Sequence, residues 1–285
     1  MNRKLKISFA SVITAIFAFA TTANGQYYYK DIVVTAQISA NYLALKNNKV
    51  TNVAISPVTA GKPDAPITIE QTINPAQDLV VTYTKTPDDG GESWLKSYYN
   101  KKGLLILSTD SAEDVVTRSY YTYNADNRIS SITSKSEPVN SASETEVHNW
   151  FYNSNGQPVK MVKIKDNTDT TNVSFIPDEQ GNPGEERAIR KNGNVGTIYY
   201  YYDAQHRLTD VARYNKKADR ILPDYMFEYN EGAQLSQMIL VPEGSNDYQT
   251  WKYLYNASGL KEKEICYNKQ KQMAGSVTYT YSFGR

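Results

Sequence analysis

Few residues in this sequence could do chemistry. Cys266 is the single cysteine, so no internal disulfide and no cysteine-based zinc site can form. Its neighbours Ile265 and Tyr267 suit a small buried hydrophobe better than an activated thiol. His148 and His206 are the two histidines, far apart in sequence. Glu144, Glu146, Asp178, Glu185 and Glu186 are the acids that could pair across strands for glycoside hydrolysis. Residues 166–172, Asp-Asn-Thr-Asp-Thr-Thr-Asn, are rich enough in oxygen to hold calcium but lack the EF-hand pattern. Tyr199 to Tyr202 could offer stacking surface to a sugar or peptide. No nucleophile elbow and no metal-binding histidine helix is present. The expectation is a protein without catalytic, cofactor-binding or metal-binding residues, and not an enzyme. A hydrolase with an unrecognised carboxylate pair is an alternative.

The elements that would position these residues follow a repeat. Tyr99-Asn100, Tyr123-Asn124, Tyr152-Asn153, Pro177-Asp178, Tyr202-Asp203, Tyr229-Asn230 and Tyr255-Asn256 each open a five-residue turn motif, and Tyr281 begins an eighth copy. From 99 to 281 there are seven intervals over 182 residues, a period of 26. The Asn or Asp can accept hydrogen bonds from its own turn. The fifth place holds Gly103, Asn127, Gly156, Gly181, His206 and Gly259. These residue types tolerate a positive φ, as a hairpin with a G1 bulge requires. Ala233 departs from this pattern, and Gly232 beside it could shift the turn by one.

Before each turn the chain alternates. Two residues ahead of the lead position stand Tyr121, Trp150, Phe175, Tyr200, Phe227, Tyr253 and Tyr279, with Ser97 in the first copy. Four ahead, Leu95, Val173, Ile198, Tyr225, Trp251 and Val277 are interrupted by Ser119 and His148. Period two puts all of these on one face as an aromatic ladder. After the turn, Leu105, Ile129, Leu208 and Leu235 are followed three residues later by Ser108, Ile132, Val211 and Met238, which calls for a bulge or a face switch. The reading is all-β: tandem antiparallel hairpins in a strongly curved sheet, shell or barrel-like array of about sixteen strands. Tyr202-Asp203-Ala204-Gln205-His206-Arg207-Leu208 and Tyr123-Asn124-Ala125-Asp126-Asn127-Arg128-Ile129 resemble the YD repeat of Rhs and teneurin-type proteins over residues 94–285, in a diverged form with a longer period. The resemblance implies wound sheets forming a shell and carries over no toxin activity. The chain also looks like secreted proteins of Bacteroidota.

Residues 1–25 read as a signal peptide: Arg3, Lys4 and Lys6, a charge-free apolar run from Ile7, then small residues to Gly25. That predicts an exported protein, periplasmic, secreted into the medium or at the cell surface, with no inner-membrane span after cleavage. Residues 26–93 lack the repeat and are expected to cap or plug the array at 94–285. Within them Ile38, Tyr42 and Leu45 have helical spacing over 36–46, and 49–56, 67–74 and 79–85 read as strands. A net charge of +1 gives no field that would draw nucleic acid. The functional expectation is a non-catalytic binding or scaffold protein of the cell envelope, for a glycan, peptide or other envelope partner, with no cofactor. An outer-membrane β-barrel is the other alternative; frequent charges and strands of six to nine residues weigh against it.

Overall fold

The computed structural model describes residues 27–284, apart from 62–66, 87–90, 113, 191, 194, 243–244 and 246. The leader assigned to residues 1–25 lies outside the described residues.

Among the described residues, one helix, α1 (Lys30–Asn47), precedes eighteen strands. These are β1 (Val50–Thr59), β2 (Thr68–Asn74), β3 (Leu79–Lys85), β4 (Glu92–Tyr99), β5 (Leu105–Ala112), β6 (Val115–Tyr123), β7 (Ile129–Pro138), β8 (Glu144–Tyr152) and β9 (Pro158–Lys165). The second half comprises β10 (Asp169–Pro177), β11 (Pro183–Ile189), β12 (Val195–Tyr202), β13 (Leu208–Asn215), β14 (Arg220–Tyr229), β15 (Leu235–Leu240), β16 (Gln249–Tyr255), β17 (Lys261–Tyr267) and β18 (Met273–Phe283). Each strand pairs antiparallel with the next, and β18 pairs with β1 from Val50↔Phe283 to Thr59↔Gly275. The sheet is therefore a closed barrel with no unpaired edge.

The count differs from sixteen because the sheet runs straight through the boundary expected at residue 93. β1, β2 and β3 are wall strands, not part of a cap. Their turns lack the Tyr-Asn signature, so the repeat does not reveal them. β1 is the strand that joins the last hairpin to the first, and without it two edges would stand open. The helix is also longer than 36–46, because its first turn is held by the wall rather than by its own periodicity.

The turns at one end of the barrel share one chemistry. Asn100 Oδ1 accepts the N–H groups of Lys102 at 2.9 Å and Leu104 at 3.0 Å. Asn124, Asn153, Asp178, Asp203 and Asn256 do the same two and four residues on. Asn230 keeps the longer-range bond, from Gln234 N–H at 2.9 Å. Gly103, Gly156, Gly181, Gly259, Asn127 and His206 all lie at positive φ. So does Ala233, at φ 60°, and the turn does not shift onto Gly232. After each turn one extra residue bulges: Tyr99 faces Leu105 and Tyr98 faces Leu107, leaving Ile106 over. The bulge lets Leu105 and Ser108, three apart, line the same inner surface.

The lead tyrosines tie neighbouring hairpins together. The hydroxyls of Tyr123, Tyr152, Tyr202, Tyr229, Tyr255 and Tyr281 donate to the carbonyls of Leu105, Ile129, Pro183, Leu208, Leu235 and Lys261. Each acceptor sits just past the preceding turn on that end of the barrel. Pro177 has no hydroxyl and makes no such tie.

The inner face carries the apolar residues. Trp150, Phe175 and Tyr200 are buried there; Tyr121, Phe227, Tyr253 and Tyr279 are half-buried on the same side. Trp150 stacks on Phe175 with centroids 5.2 Å apart. The outer face is mixed: Glu70, Lys96, Arg118 and Lys252 stand mid-strand between inward-facing neighbours, and Trp94, Tyr120, Phe151 and Leu254 are exposed beside them. Four of the exposed apolar residues face charges across the ladder, in the pairs Phe151↔Lys160, Ile176↔Glu185, Tyr201↔Asp210 and Leu254↔Lys263, whereas Trp94 and Tyr120 face uncharged residues.

Candidate functional site: the lumen and its helix

An eighteen-stranded wall is too wide for its own side chains to fill. Residues 27–47 occupy part of the lumen. Tyr27 packs against Ile198, Tyr200, Leu208 and Val211. Tyr28 packs against Trp150, Met161, Val173 and Phe175. The far half of α1 brings Tyr42 against Val50, Ile73, Val80, Tyr99 and Leu105, with Ile38 and Leu45 flanking it.

Three charged anchors hold this segment. Glu186, on β11, accepts the backbone N–H groups of Tyr28 at 2.9 Å and Tyr29 at 3.0 Å, and the Tyr200 hydroxyl at 2.7 Å. A wall carboxylate thus caps the start of the helix, where its dipole favours negative charge. Burial pushes the Glu186 carboxyl up to about 7 against those three hydrogen bonds. Asp78, in the β2–β3 turn, accepts the Tyr42 hydroxyl at 3.0 Å, Lys46 at 2.7 Å and Lys101 at 2.6 Å near the far end. Those partners, Lys101 first, hold its carboxyl well below the usual range.

His148 forms the third anchor. Its Nδ1 lies 2.6 Å from Asp31 Oδ2 and its Nε2 2.9 Å from Glu146 Oε1. Glu146 also pairs with Lys163 at 2.6 Å, and Asp31 accepts Trp150 Nε1–H at 3.2 Å. Desolvation alone would lower the His148 pKa, but Asp31 and Glu146 outweigh it and raise it to about 9. A ring held between two carboxylates is an imidazolium with both protons committed, so it has no lone pair with which to act as a base.

The other candidates fall apart in space or in role. Glu144 pairs with Lys165 and Glu185 with Arg187, while Asp178 is committed to its turn. Among the described residues, these acids have no hydrogen-bond or ion-pair partner in common with one another or with Glu146 and Glu186. Asp166 and Asn167 take positive φ in the β9–β10 turn, and Asp166 Oδ1 accepts Thr145 N–H at 2.7 Å. His206 Nδ1 contacts Asn182 Oδ1 of the adjacent turn at 2.9 Å. Cys266 is buried on the inner face of β17, and burial pushes its thiol up to about 12. Tyr200 and Tyr202 point inward, and Tyr201 is exposed outside.

Beside the helix the lumen keeps a cavity of about 960 Å³. Its lining runs from Ile67 and Thr86 to Ala233 and Gly259, at opposite ends of the barrel. One wall is aromatic, with Phe227, Tyr229, Tyr255, Tyr279 and Tyr281. The facing strands β3 to β6 instead present Thr82, Thr84, Ser93, Ser97, Ser108, Thr117 and Ser119, with Asp110 among them. Ser97 and Ser119 are the positions where the sequence breaks its aromatic ladder. The cavity lies against the stretch of wall where small hydroxyl residues replace large rings. That interruption was visible in the sequence; its meaning required the closed wall.

The fold and this site define a closed, eighteen-stranded antiparallel β-barrel with a helix and a cavity in its lumen. Comparison with known proteins shows no family. No protein-family model and no curated protein matches the sequence. Among solved structures, a porin-like protein from Bacteroides uniformis is 11% identical over 82% of this chain and 97% of its own, with a TM-score of 0.38. A porin-like protein from Bacteroides vulgatus is 11% identical over 82% and 98%, with a TM-score of 0.31. The TcdB2-TccC3-Cdc42 structure is 14% identical over 81% of this chain but 14% of that one, with a TM-score of 0.34. None of these shows the YD-repeat family.

Proposed function

We propose that this chain is a non-catalytic binding protein of the cell envelope that holds a small ligand in the lumen of its barrel. The observation that carries the reading is the cavity of about 960 Å³, which is bounded by an aromatic wall and a hydroxyl wall and lies where the repeat gives up its large side chains. A cavity of this size with convergent polar groups suits a ligand rather than a void. The leader at residues 1–25 supports export, and the diverged YD-like hairpins supply the shell.

The outer face favours a barrel surrounded by water. Lys or Arg on the lipid face of a barrel costs about 2–4 kcal/mol at the bilayer midplane. Lys96, Arg118 and Lys252 stand mid-strand on that face, and Arg118 is paired outside with Glu137. No helix among the described residues is long and apolar enough to cross a membrane, which leaves barrels open. Closure of eighteen strands favours a second reading, an outer-membrane barrel.

Cell fractionation with a lumen probe separates the two. The expected result is recovery in detergent-free periplasmic or extracellular fractions, and saturable uptake of N-phenyl-1-naphthylamine that Ser97→Trp blocks. Recovery only in detergent-extracted outer membrane, with conductance in planar bilayers, would overturn the binding reading in favour of the membrane barrel.

A further inference from the structure

The polar groups of the cavity indicate what kind of ligand it takes. On the lumenal side of α1, Gln37 and Asn41 are one turn apart, exposed, and separated from the wall by the cavity they line. On the wall, Asp110 also lines it, between Leu95 of β4 and Thr117 of β6 in register. Among the described residues, none of these three side chains has a hydrogen bond or an ion pair. Asp110 faces open cavity yet is surrounded by barrel wall, and desolvation pushes its carboxyl up. A lumen that pairs Glu186, Asp78 and Glu146 so fully has left two amides and a carboxylate unused.

The aromatic wall is complementary to these groups. Tyr229, Tyr255 and Tyr281 spend their hydroxyls on backbone carbonyls, and Tyr279 spends its own on Glu264 at 2.6 Å. What they offer the cavity is ring surface. Amides and carboxylates hydrogen-bond vicinal hydroxyls in pairs, and ring faces pack against the C–H faces of pyranoses. The carboxylate adds an unpaired negative charge, which repels an acidic ligand and attracts an amine.

We propose that the lumen binds a short saccharide, neutral or amine-bearing, with Gln37, Asn41 and Asp110 hydrogen-bonding its hydroxyl or amino groups and the tyrosine wall stacking on its rings. This rests on the lumen being a ligand site, so the test carries an arm for each claim. Purified full-length mature protein is titrated calorimetrically with cellotriose, maltotriose, the glucosamine trimer and trigalacturonate. The expected result is saturable binding of at least one of the first three, tenfold or more stronger than trigalacturonate. That binding should weaken at least tenfold in Asp110→Ala and in the double variant Gln37→Ala/Asn41→Ala, with circular dichroism unchanged. It should also displace N-phenyl-1-naphthylamine.

If the naphthylamine enters the lumen and Ser97→Trp or Thr82→Trp excludes it, but none of the trisaccharides binds, the saccharide assignment is overturned and the lumen site stands. Equal or tighter binding of trigalacturonate, or binding indifferent to all three residues, overturns the assignment as well. If neither dye nor sugar enters, both claims fall.

Discussion

The ring of Tyr42, on the lumenal helix, lies flat on the ring of Tyr99, on the barrel wall, with centroids 3.8 Å apart and planes 8° from parallel. The stack joins the helix to β4, and the Tyr42 hydroxyl continues the joint to Asp78. Tyr42 is 1% exposed, the most enclosed residue of the helix. Replacing it by Ala should destabilise the fold by about 3–5 kcal/mol, the usual loss for a large buried aromatic. Tyr42→Phe keeps the stack and should lose about 1 kcal/mol. Urea unfolding followed by tyrosine fluorescence and circular dichroism reads both. Equal losses in the two variants would mean that the stack contributes little.

The hydroxyl ties between hairpins give a second expectation. Tyr202→Phe, Tyr229→Phe and Tyr255→Phe each remove a donor to a carbonyl at the start of the preceding strand. Each should lower stability by about 1 kcal/mol, and more where water cannot reach the freed carbonyl. Tyr201→Phe, exposed on the outer face, should change it by less than about 0.5 kcal/mol. Thermal unfolding of the four variants side by side tests the contrast, and a uniform shift across all four would remove it.

Glycines at the turns separate backbone from packing. Gly103 and Gly61 both have positive φ, 79° and 74°. A Cβ on Gly103 would sit 2.5 Å from Leu43 Cδ2, whereas among the described residues nothing lies within 4 Å of one on Gly61. Gly61→Ala should lose about 1 kcal/mol through backbone conformation alone. Gly103→Ala should lose more, because Leu43 must move away from the wall. The order of the two midpoints in urea is the measurement; Gly61→Ala as the weaker protein would contradict the turn–helix contact.

The His148 cluster sets a pH dependence. Its folded pKa of about 9 lies above the ordinary 6.5. Its stabilisation is therefore complete below pH 6.5 and disappears as pH rises through 9. Glu146 is held near 2 against 4.5, because the bonds from His148 and Lys163 overcome desolvation. Its contribution is present above pH 4.5 and is lost as pH falls toward 2. An NMR titration should find the His148 ring still protonated at pH 7.5, and a midpoint below 6.5 would refute the arrangement. His148→Ala leaves Asp31 and Glu146 without their shared cation and should destabilise by about 3–5 kcal/mol.

The all-β, hairpin-built character of the chain was legible in the sequence because it is local. Asn100 and Gly103 act within one five-residue turn, and the alternation of Trp150 and Tyr152 with Phe151 concerns neighbours on one strand. Such patterns report which face of a strand is apolar without reference to distant residues. The sequence could not say that the apolar face looks inward to a closed lumen. Closure depends on Val50–Thr59 meeting Met273–Phe283, more than two hundred residues away, and no local signal marks that register. Nor could it distinguish Glu186 from Glu185: adjacent in the chain, one caps the lumenal helix and the other pairs with Arg187 outside. The same holds for Ser97, Ser119 and Asp110. In the sequence the two serines are gaps in a ladder, and Asp110 is one acid among thirty acidic residues. Only the closed wall places them around a shared cavity, because a lumen is a property of where the whole sheet returns to itself.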